Sequence, residues 1–256
     1  MDVPMTNNTE APFEARLRGL SALIVGATGG IGLAIAEAFA EAGARLVMHG
    51  RDRARAEARA SELRSLGADV STICEDLSGG EPSRALLEAA ASADILVVAY
   101  GPFVYKPLSE TKGADWRLTA LACLALPGTL ATEAAAAMAA RGSGRILLFG
   151  GTRTDAIRGF KANAAYAAAK TGIGVLAKSI AVEFGGKGVS CAVLCPGFVD
   201  TEYLDATTRE RLGNASPRGG LIPSGEIARL ALYLASGGME LANGSIIVAD
   251  RGLYSL

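Results

Sequence analysis

Histidine and cysteine are both scarce in this 256-residue sequence, which has one histidine, His49, and four cysteines, Cys74, Cys123, Cys191 and Cys195. The cysteines form no CxxC pair, so the sequence predicts no zinc or other metal site. Cys191 and Cys195 lie in or beside an apolar run and are expected to be small buried side chains. So few cysteines also favour a reducing, cytoplasmic location over a disulfide scaffold.

An excess of charge of either sign is absent too, since the formal net charge is −1 at pH 7. A nearly neutral protein does not attract a polyanion or a membrane surface, so neither nucleic acid nor membrane is expected as a partner. The first residues lack the basic start and apolar stretch of a secretory signal. Residues 1–16 are predicted to be a disordered lead-in, and residues 17–256 to form one domain.

Long hydrophobic runs are almost lacking. The segment Thr119–Ala140 is the exception, because Glu133 is its only charged residue. Its length would suffice to cross a membrane. However, it consists mostly of alanine, which is weakly apolar, and Pro127 interrupts it. The segment is therefore predicted to be a buried helix.

Short apolar runs alternate with helix-forming stretches along the whole chain. Continuous rather than alternating apolar residues are typical of parallel strands covered on both faces. Predicted strands are Ala22–Val25, Arg45–Met48, Val70–Cys74, Ile95–Ala99, Ile146–Phe149, Ser190–Leu194 and Ser245–Val248, and predicted helices include Ile31–Ala42, Arg53–Leu66 and Ala164–Phe184. This order predicts an α/β fold of the Rossmann type, with a doubly wound, seven-stranded parallel sheet and helices on both faces.

A glycine-rich string joins the first predicted strand to the first helix. Gly26 permits a tight turn, Gly30 allows the backbone to approach a pyrophosphate, and Gly32 allows the helix to pack closely on the strand. The free N–H groups at the helix N-terminus would bind phosphate. The string therefore predicts a dinucleotide site, whose candidate residues are Gly26, Thr28, Gly29, Gly30, Ile31 and Gly32.

The residues after the second strand bear on the choice between NAD and NADP. A fold that prefers NAD usually has a carboxylate there, to accept a hydrogen bond from the ribose 2′-OH. Gly50 stands at that place, and Arg51 follows it with a guanidinium that suits a 2′-phosphate. NADP(H) is predicted over NAD(H), and the neighbouring Asp52 is the residue that argues for NAD(H).

Tyr166 and Lys170 are four residues apart on a predicted helix, so their side chains share one face. A phenol with a pKa of about 10 is a poor acid–base group at neutral pH, and a nearby cation makes it more acidic. A tyrosine beside a lysine therefore predicts a proton-transfer centre, provided that other site residues accompany the pair.

Those companions make the sequence resemble the short-chain dehydrogenase/reductases. The resemblance covers about residues 17–256 and comprises the glycine string, Asp76-Leu77, Tyr166/Lys170, Pro196–Thr201, Pro223-x-x-Glu226 and the ending Asn243-Gly244 with Asp250-Arg251-Gly252. It implies that Asp76 and Leu77 flank the adenine, that Lys170 holds the nicotinamide ribose, and that Tyr166 exchanges a proton with the substrate oxygen. The further cofactor-binding residues that it implies are Ala99, Gly101, Pro196, Gly197, Val199 and Thr201.

Several positions depart from the family pattern. The family's Asn-Asn-Ala-Gly is here Val98-Ala99-Tyr100-Gly101, and the threonine that often opens the glycine string is Val25. Cys123 stands where an asparagine normally joins the proton relay, and Gly151 where a serine normally contacts the reacting oxygen. Thr152 is the predicted replacement for that serine, and Thr154 is a weaker candidate.

Two functions follow as hypotheses. The first is an NADP(H)-dependent oxidoreductase that interconverts a ketone and a secondary alcohol, with Tyr166, Lys170 and Thr152 as catalytic residues. The second is a cofactor-binding protein that has lost or altered its redox chemistry and acts as a sensor or structural partner. An apolar or ring-bearing substrate is suggested by Tyr100, Phe103, Tyr105 and a mobile loop over residues 203–222. The alanine-rich helices also predict a homo-oligomer, a dimer or tetramer.

Overall fold

Residues 16–217 and 219–253 are described by the computed structural model. Apart from Arg16, the predicted lead-in of residues 1–16 lies outside the described residues, so that prediction stays open. The main sheet contains seven parallel strands, in the order β3-β2-β1-β4-β5-β6-β9, and a short parallel pair, β7-β8, stands apart from it. The strands are β1 (Ser21–Val25), β2 (Arg45–Gly50), β3 (Val70–Cys74), β4 (Ile95–Val98), β5 (Gly144–Phe149), β6 (Val189–Pro196), β7 (Val199–Asp200), β8 (Ile222–Pro223) and β9 (Ile246–Ala249).

Nine α-helices occur in the described part of the chain. They are α1 (Gly30–Glu41), α2 (Arg53–Ser65), α3 (Arg84–Ser92), α4 (Gly113–Ala120), α5 (Leu126–Arg141), α6 (Ala164–Phe184), α7 (Ala206–Asn214), α8 (Ser224–Tyr233) and α9 (Met239–Leu241). The predicted doubly wound parallel sheet is confirmed, and the helix predicted over Ala164–Phe184 has the predicted bounds. Most strand boundaries differ from prediction by one or two residues.

The core lies on both faces of the sheet. Along β1, Ala22 and Ile24 belong to one buried cluster, whereas Leu23 and Val25 belong to the other. Successive side chains of a strand point to opposite faces, so the two clusters occupy opposite sides of the sheet. Helices α1 and α8 cover the first face, and helices α3, α5 and α6 cover the second. Burial on both faces explains why the strands read as continuous apolar runs.

One continuous helix, Gly113–Arg141, is long and apolar enough to cross a membrane by length and composition alone. Its inward side chains, such as Leu126, Leu130 and Met138, are fully buried in the core, as predicted for a buried helix. Between α4 and α5 the residues Leu121–Ala125 form a π-helical turn. The π-helical turn ends directly before α5, so Pro127 stands in the first turn of that helix, where the N–H that proline lacks is not required.

The segment over residues 203–222, which was predicted to be a mobile loop, lies between two short strands that pair with each other. β7 pairs with β8, and the Ile222 N–H donates to the Phe198 carbonyl at 2.8 Å. Helix α7 lies between them, with the Asp205 carboxylate accepting from the Thr208 N–H as its N-cap. The segment therefore contains a helix, and its mobility stays a prediction.

At the far edge of the sheet, β9 pairs with β6 from Val193↔Ile246 to Pro196↔Ala249. Every residue of β6 is buried, whereas β9 is more exposed, with Val248 48% accessible. β9 therefore shields a strand that is apolar throughout from solvent.

Candidate active site

A cleft of about 1020 Å³ opens where the central strands end. It lies beyond the carboxyl ends of β4, β5 and β6, next to the point where the strand order reverses between β1 and β4. Open α/β sheets bind ligands at such a reversal, because the connections on either side run to opposite faces of the sheet. Ten of the predicted site residues line the cleft: Ile31, Ala99, Gly101, Thr152, Tyr166, Lys170, Pro196, Gly197, Val199 and Thr201.

The glycine string forms a turn that other residues could not form. Gly26 has φ +87°, and a Cβ on Gly32 would lie 2.0 Å from the Gly26 carbonyl oxygen. Helix α1 therefore packs directly on the backbone of the preceding turn, which requires glycine at position 32. The helix begins without a side-chain cap, since Gly29 is its N-cap. Its first N–H groups are thereby available to a ligand or to another part of the chain.

An acidic side chain from the β7 region reaches that helix N-terminus. The Glu202 carboxylate accepts from the Gly30 N–H, with Oε2 at 3.0 Å and Oε1 at 3.2 Å. Arg55 donates from Nη2 to Glu202 Oε1 at 2.6 Å and from Nε to the Thr28 carbonyl at 2.9 Å. The position at which a phosphate is expected thus already binds an anionic group, next to a guanidinium.

Sequence reasoning did not identify Arg55 or Glu202 as site residues. They are separated by 147 positions, and only the fold brings them together. The positive helix terminus gave a signal that some anion would bind, but not which side chain of the chain could reach it.

The end of β2 lacks the carboxylate that would select NAD, because the residue there is Gly50. A Cβ on Gly50 would lie 2.3 Å from Thr28 Cγ2, so a side chain at this position would require Thr28 to move. The Asp52 carboxylate accepts from the Arg55 N–H at 2.9 Å and caps helix α2. Asp52 therefore has a structural partner, and the exposed Arg51 remains beside the expected adenosine position.

Asp76 and Leu77 follow β3, as the resemblance requires. The Ser78 N–H donates to Asp76 Oδ1 at 3.0 Å, and hydrogen bonding from Ser78 lowers the pKa of Asp76. The Leu77 side chain is buried in the core, so any contact with a ligand would come from its backbone. After β4, Tyr100 lies against Gly26, because a Cβ on Gly26 would be 3.1 Å from the Tyr100 Cα.

Tyr166 lies on the cleft wall in the first turns of α6. The Phe103 ring contacts it edge-on, with 5.0 Å between the ring centroids. Burial raises the pKa of Tyr166 well above that of an ordinary phenol, so the hydroxyl is protonated at neutral pH.

Lys170 lies one helical turn further on, and its Nζ is 5.9 Å from the centroid of the Tyr166 ring. The side chain is only 4% exposed, and Nζ donates to the Phe149 carbonyl at 2.9 Å. Burial lowers the pKa of this ammonium. The predicted pair is therefore brought together at the cleft, and the lysine is positioned by its hydrogen bond to the last residue of β5.

Cys123 belongs to the π-helical turn and lies close to the same lysine. A Cβ on Gly101 would lie 3.1 Å from Lys170 Nζ and 3.2 Å from Cys123 Sγ, so Gly101 leaves room for both. The Cys123 thiol faces the Pro102 carbonyl at 3.6 Å, and burial raises its pKa. The position expected for an asparagine therefore holds a protonated thiol, which is a weak donor.

Gly151 is directly beside the Tyr166 ring. A Cβ at this position would lie 2.9 Å from Tyr166 Cε1 and 3.2 Å from Tyr166 Oη. The tyrosine thus packs into the space where a serine side chain would begin.

The two nearby threonine hydroxyls both bond to backbone groups. Thr152 donates to the Pro196 carbonyl at 3.1 Å. Thr154 is buried, accepts from the Gly151 N–H at 2.7 Å and donates to the Gly151 carbonyl at 3.0 Å. Of the two, only Thr152 lines the cleft, so its hydroxyl would have to exchange the Pro196 carbonyl for a substrate oxygen.

The segment after β6 closes the cleft from the other side. The Gly197 N–H donates to the Ala249 carbonyl at 3.0 Å, and a Cβ on Gly197 would lie 2.8 Å from the Asp250 Cα. Val199 and Thr201 follow on the cleft wall. Of the predicted aromatic residues, Phe103 and Tyr105 line the cleft, together with Phe160 and Tyr203, whereas Tyr100 does not.

Comparison with known proteins gives matches over nearly the whole chain. A family model described as enoyl-(acyl carrier protein) reductase matches residues 26–254. The galactitol 2-dehydrogenase (L-tagatose-forming) of Cereibacter sphaeroides is 33% identical over 257 residues, which cover 93% of this chain and 96% of that enzyme.

Solved structures agree with this similarity. A short-chain dehydrogenase/reductase family protein is 31% identical with a TM-score of 0.84, and the match covers 94% of this chain and 100% of the other. The gluconate 5-dehydrogenase of Burkholderia cenocepacia J2315, solved with NADP and tartrate, is 29% identical with a TM-score of 0.83. That match covers 95% of this chain and 98% of the other.

Proposed function

This chain belongs to the short-chain dehydrogenase/reductase family, and from that premise we propose that it is an NADP(H)-dependent oxidoreductase that interconverts a ketone and a secondary alcohol. One observation carries the proposal: Tyr166 lies on the wall of the large cleft, with the buried Lys170 ammonium 5.9 Å from its ring. The relative that forms L-tagatose from galactitol and the NADP-bound gluconate 5-dehydrogenase structure support the same reaction class and cofactor.

The residues present fit a dinucleotide that carries a 2′-phosphate. The N-terminus of α1 already binds an anionic group, the Glu202 carboxylate, beside Arg55. Gly50 places no carboxylate at the end of β2, and Arg51 would supply a guanidinium for the extra phosphate. Asp76, Ala99, Val199 and Thr201 complete the proposed cofactor site, with the residues of the glycine string. When bound, NADPH supplies the hydride.

Tyr166 acts in this proposal as the acid that gives its proton to the carbonyl oxygen. Burial keeps its phenol protonated, which suits reduction of a ketone. For the reverse reaction the phenol must first ionise, and the Lys170 charge together with the positive nicotinamide would favour that step. Lys170 would also hold the nicotinamide ribose, and Thr152 is the proposed hydroxyl donor to the reacting oxygen.

The second candidate is a cofactor-binding protein with lost or altered redox chemistry. It is favoured by Gly151, which carries no hydroxyl, and by the backbone bonds of the Thr152 and Thr154 hydroxyls. Retention of Tyr166 and Lys170 at the cleft argues against it. Tight NADPH binding without turnover of any ketone or alcohol in a broad panel would select this candidate.

Replacing Tyr166 by phenylalanine tests the leading proposal. General acid–base groups contribute about 10²–10⁴-fold to the rate, so kcat for NADPH oxidation should fall by that amount in Tyr166→Phe. NADPH affinity, measured by fluorescence titration, should stay the same because the ring is retained. Tyr233→Phe removes a hydroxyl from an exposed tyrosine on α8 and should leave kcat unchanged. Unchanged turnover in Tyr166→Phe would remove this residue from the mechanism.

We also propose that the protein forms a homo-oligomer, a dimer or tetramer, through helices α5 and α6. On α6, Val175 and Val182 are 69% and 88% exposed, and Leu121 and Leu124 of the adjoining π-helical turn are exposed as well. Such apolar surface is more typical of an interface than of a monomer surface. Sedimentation velocity would show the assembly, and Val182→Glu should weaken it.

A further inference from the structure

The cleft carries more positive than negative side chains, although the whole protein is close to neutral. Arg153, Lys161, Lys170 and Arg211 line it, and Asp205 is the one carboxylate among the described lining residues. Lys170 belongs to the proposed reaction centre. The other three cations belong neither to the glycine string nor to the end of β2, where the cofactor phosphates are expected.

Arg153 has an unusual backbone conformation within this group. It follows Thr152 in the turn after β5 and has φ +65°, a left-handed conformation that residues other than glycine rarely adopt. The Arg158 side chain donates to the Arg153 carbonyl at 3.2 Å. The Arg153 guanidinium lies over the Phe160 ring, 5.8 Å from the centroid. Such conformations persist where the surroundings enforce them, and they are concentrated at ligand sites.

Lys161 and Arg211 approach the cleft from different elements. Lys161 precedes α6, and Arg211 lies on α7. Within residues 16–217 and 219–253, neither side chain forms an ion pair or a hydrogen bond. The Asp205 carboxylate is not paired with them, since its two oxygens accept from the N–H and the hydroxyl of Thr208 at 2.7 Å and 2.9 Å, and its single negative charge leaves the lining positive.

Apolar side chains occupy the wall around these cations. Phe103, Tyr105, Phe160, Leu204 and Leu212 all line the cleft. Apolar walls lower the local dielectric constant and strengthen the attraction of a cation for an anion. The cleft therefore combines an apolar surface with an excess of cationic side chains.

We propose that the substrate carries a carboxylate, which the Arg153 guanidinium binds while Lys161 and Arg211 add to the attraction. The inference rests on the proposed function and narrows the substrate to oxo acids and hydroxy acids with an apolar body. Arg153 is a specificity-determining residue in this proposal, since a planar guanidinium binds a carboxylate through two parallel hydrogen bonds.

Binding can be measured separately from turnover. Isothermal titration calorimetry gives the Kd of the protein for 4-acetylbenzoate and for 4-acetylbenzamide. The two ligands have nearly the same shape, and only the first is charged. The titrations are made with the protein alone and with the protein saturated with NADP⁺, in which the ketone cannot be reduced. The acid should bind at least about tenfold more tightly than the amide, and this ratio should fall in about 0.5 M NaCl.

Variants connect the charge preference to the named residues. Arg153→Gln should bring the acid-to-amide ratio close to one, raise KM for the acid and leave kcat within about threefold, since the reacting end is untouched. Arg153→Lys should recover part of the ratio. Lys187→Gln, which removes one positive charge after α6 and does not line the cleft, should leave the ratio unchanged. Lys161→Gln replaces an exposed side chain and provides a second test should Arg153→Gln fail to fold.

The outcomes separate this inference from the proposed function. Equal affinity for acid and amide, or a ratio that Arg153→Gln and Lys161→Gln both leave intact, would overturn the carboxylate site. A clear preference for the acid without reduction of any ketone by NADPH would support the site and overturn the oxidoreductase proposal instead.

Discussion

The proposed nucleotide end and the proposed reaction end of the site are built in different ways. At the nucleotide end, the decisive features belong to the backbone: the positive φ of Gly26, the contact of Gly32 with the Gly26 carbonyl, and the N-terminus of α1, which has no side-chain N-cap. At the reaction end, the proposed chemistry depends on side chains, namely those of Tyr166, Lys170 and Cys123, and on the lack of one at Gly151. Backbone features tolerate little change, whereas side-chain chemistry can be altered without loss of the fold.

This difference coincides with where the sequence was interpreted as departing from the family pattern. The glycine string matches the family pattern from Gly26 to Gly32, and most departures, including Cys123 and Gly151, are at or near the reaction end. Under the proposed function, a change of reactivity or substrate would therefore require few replacements and leave the proposed cofactor site unchanged.

The largest effect is expected when one methyl group is added to the glycine turn of the nucleotide end, where the backbone is closely packed. In Gly32→Ala the new Cβ would lie 2.0 Å from a backbone oxygen that cannot move without opening the turn. The free energy of unfolding should fall by roughly 3 kcal/mol, the upper part of the range for overpacking, and NADPH binding should be lost. Chemical denaturation and fluorescence titration measure the two effects.

Gly128→Ala is the matched control for that change. Its Cβ would have no atom within 4 Å, and the residue lies within helix α5. Alanine should therefore stabilise the protein by up to about 1 kcal/mol and leave NADPH binding unchanged. Equal behaviour of the two variants would show that the close packing of α1 on its turn is not needed.

At the reaction end, Gly151→Ser compared with Gly151→Ala separates the missing hydroxyl from the cost of a Cβ. Both variants must shift the Tyr166 ring, since the Cβ would lie 2.9 Å from its Cε1. One hydrogen-bond donor to a developing oxyanion contributes on the order of 10²–10³ in kcat, so the serine variant should exceed the alanine variant by at least about tenfold. Steady-state NADPH oxidation gives the ratio. Equal rates would mean that the reacting oxygen already has a donor, for which Thr152 is the candidate.

A smaller effect is expected where the chain itself supplies an anion to the nucleotide end. Glu202→Gln removes the charge that lies 3.0 Å from the Gly30 N–H, and with it a competitor for phosphate. Charges at helix N-termini contribute about 0.3–1 kcal/mol, so the Kd for NADPH should decrease about two- to fivefold. Glu210→Gln, on the exposed side of α7, should not change the Kd. A weaker complex in Glu202→Gln would show that this carboxylate assists the cofactor.

Sequence reasoning predicted the fold well because burial on both faces leaves a clear signal. The apolar runs predicted all seven strands of the main sheet, and the apolar spacing on Ala164–Phe184 predicted helix α6 with its observed bounds. Helix α3 was not predicted, since its nine residues bury only Leu86 and Ala90. The π-helical turn at Leu121–Ala125 was also missed, because no residue pattern distinguishes it from an ordinary turn of helix.

For the candidate site, local motifs were predictable and long-range contacts were not. The Tyr166/Lys170 pair depends on helical spacing, which the sequence displays directly. The contact of Arg55 and Glu202 at the α1 N-terminus depends on where separate loops meet in the fold. The role of Asp52 was partly predictable. An aspartate directly before a helix is a typical N-cap, so the sequence already indicated that Asp52 caps α2 rather than binds the ribose 2′-OH.

The position of β9 at the edge of the sheet bears on how the protein is made. β6 is buried at every residue, and its outer edge is paired only once Ile246–Ala249 are in place. A chain still being synthesised, or one truncated before residue 246, would present this apolar edge to other unfinished chains, which is a route to aggregation. The four residues of β9 thus protect the newly made protein as well as completing its sheet.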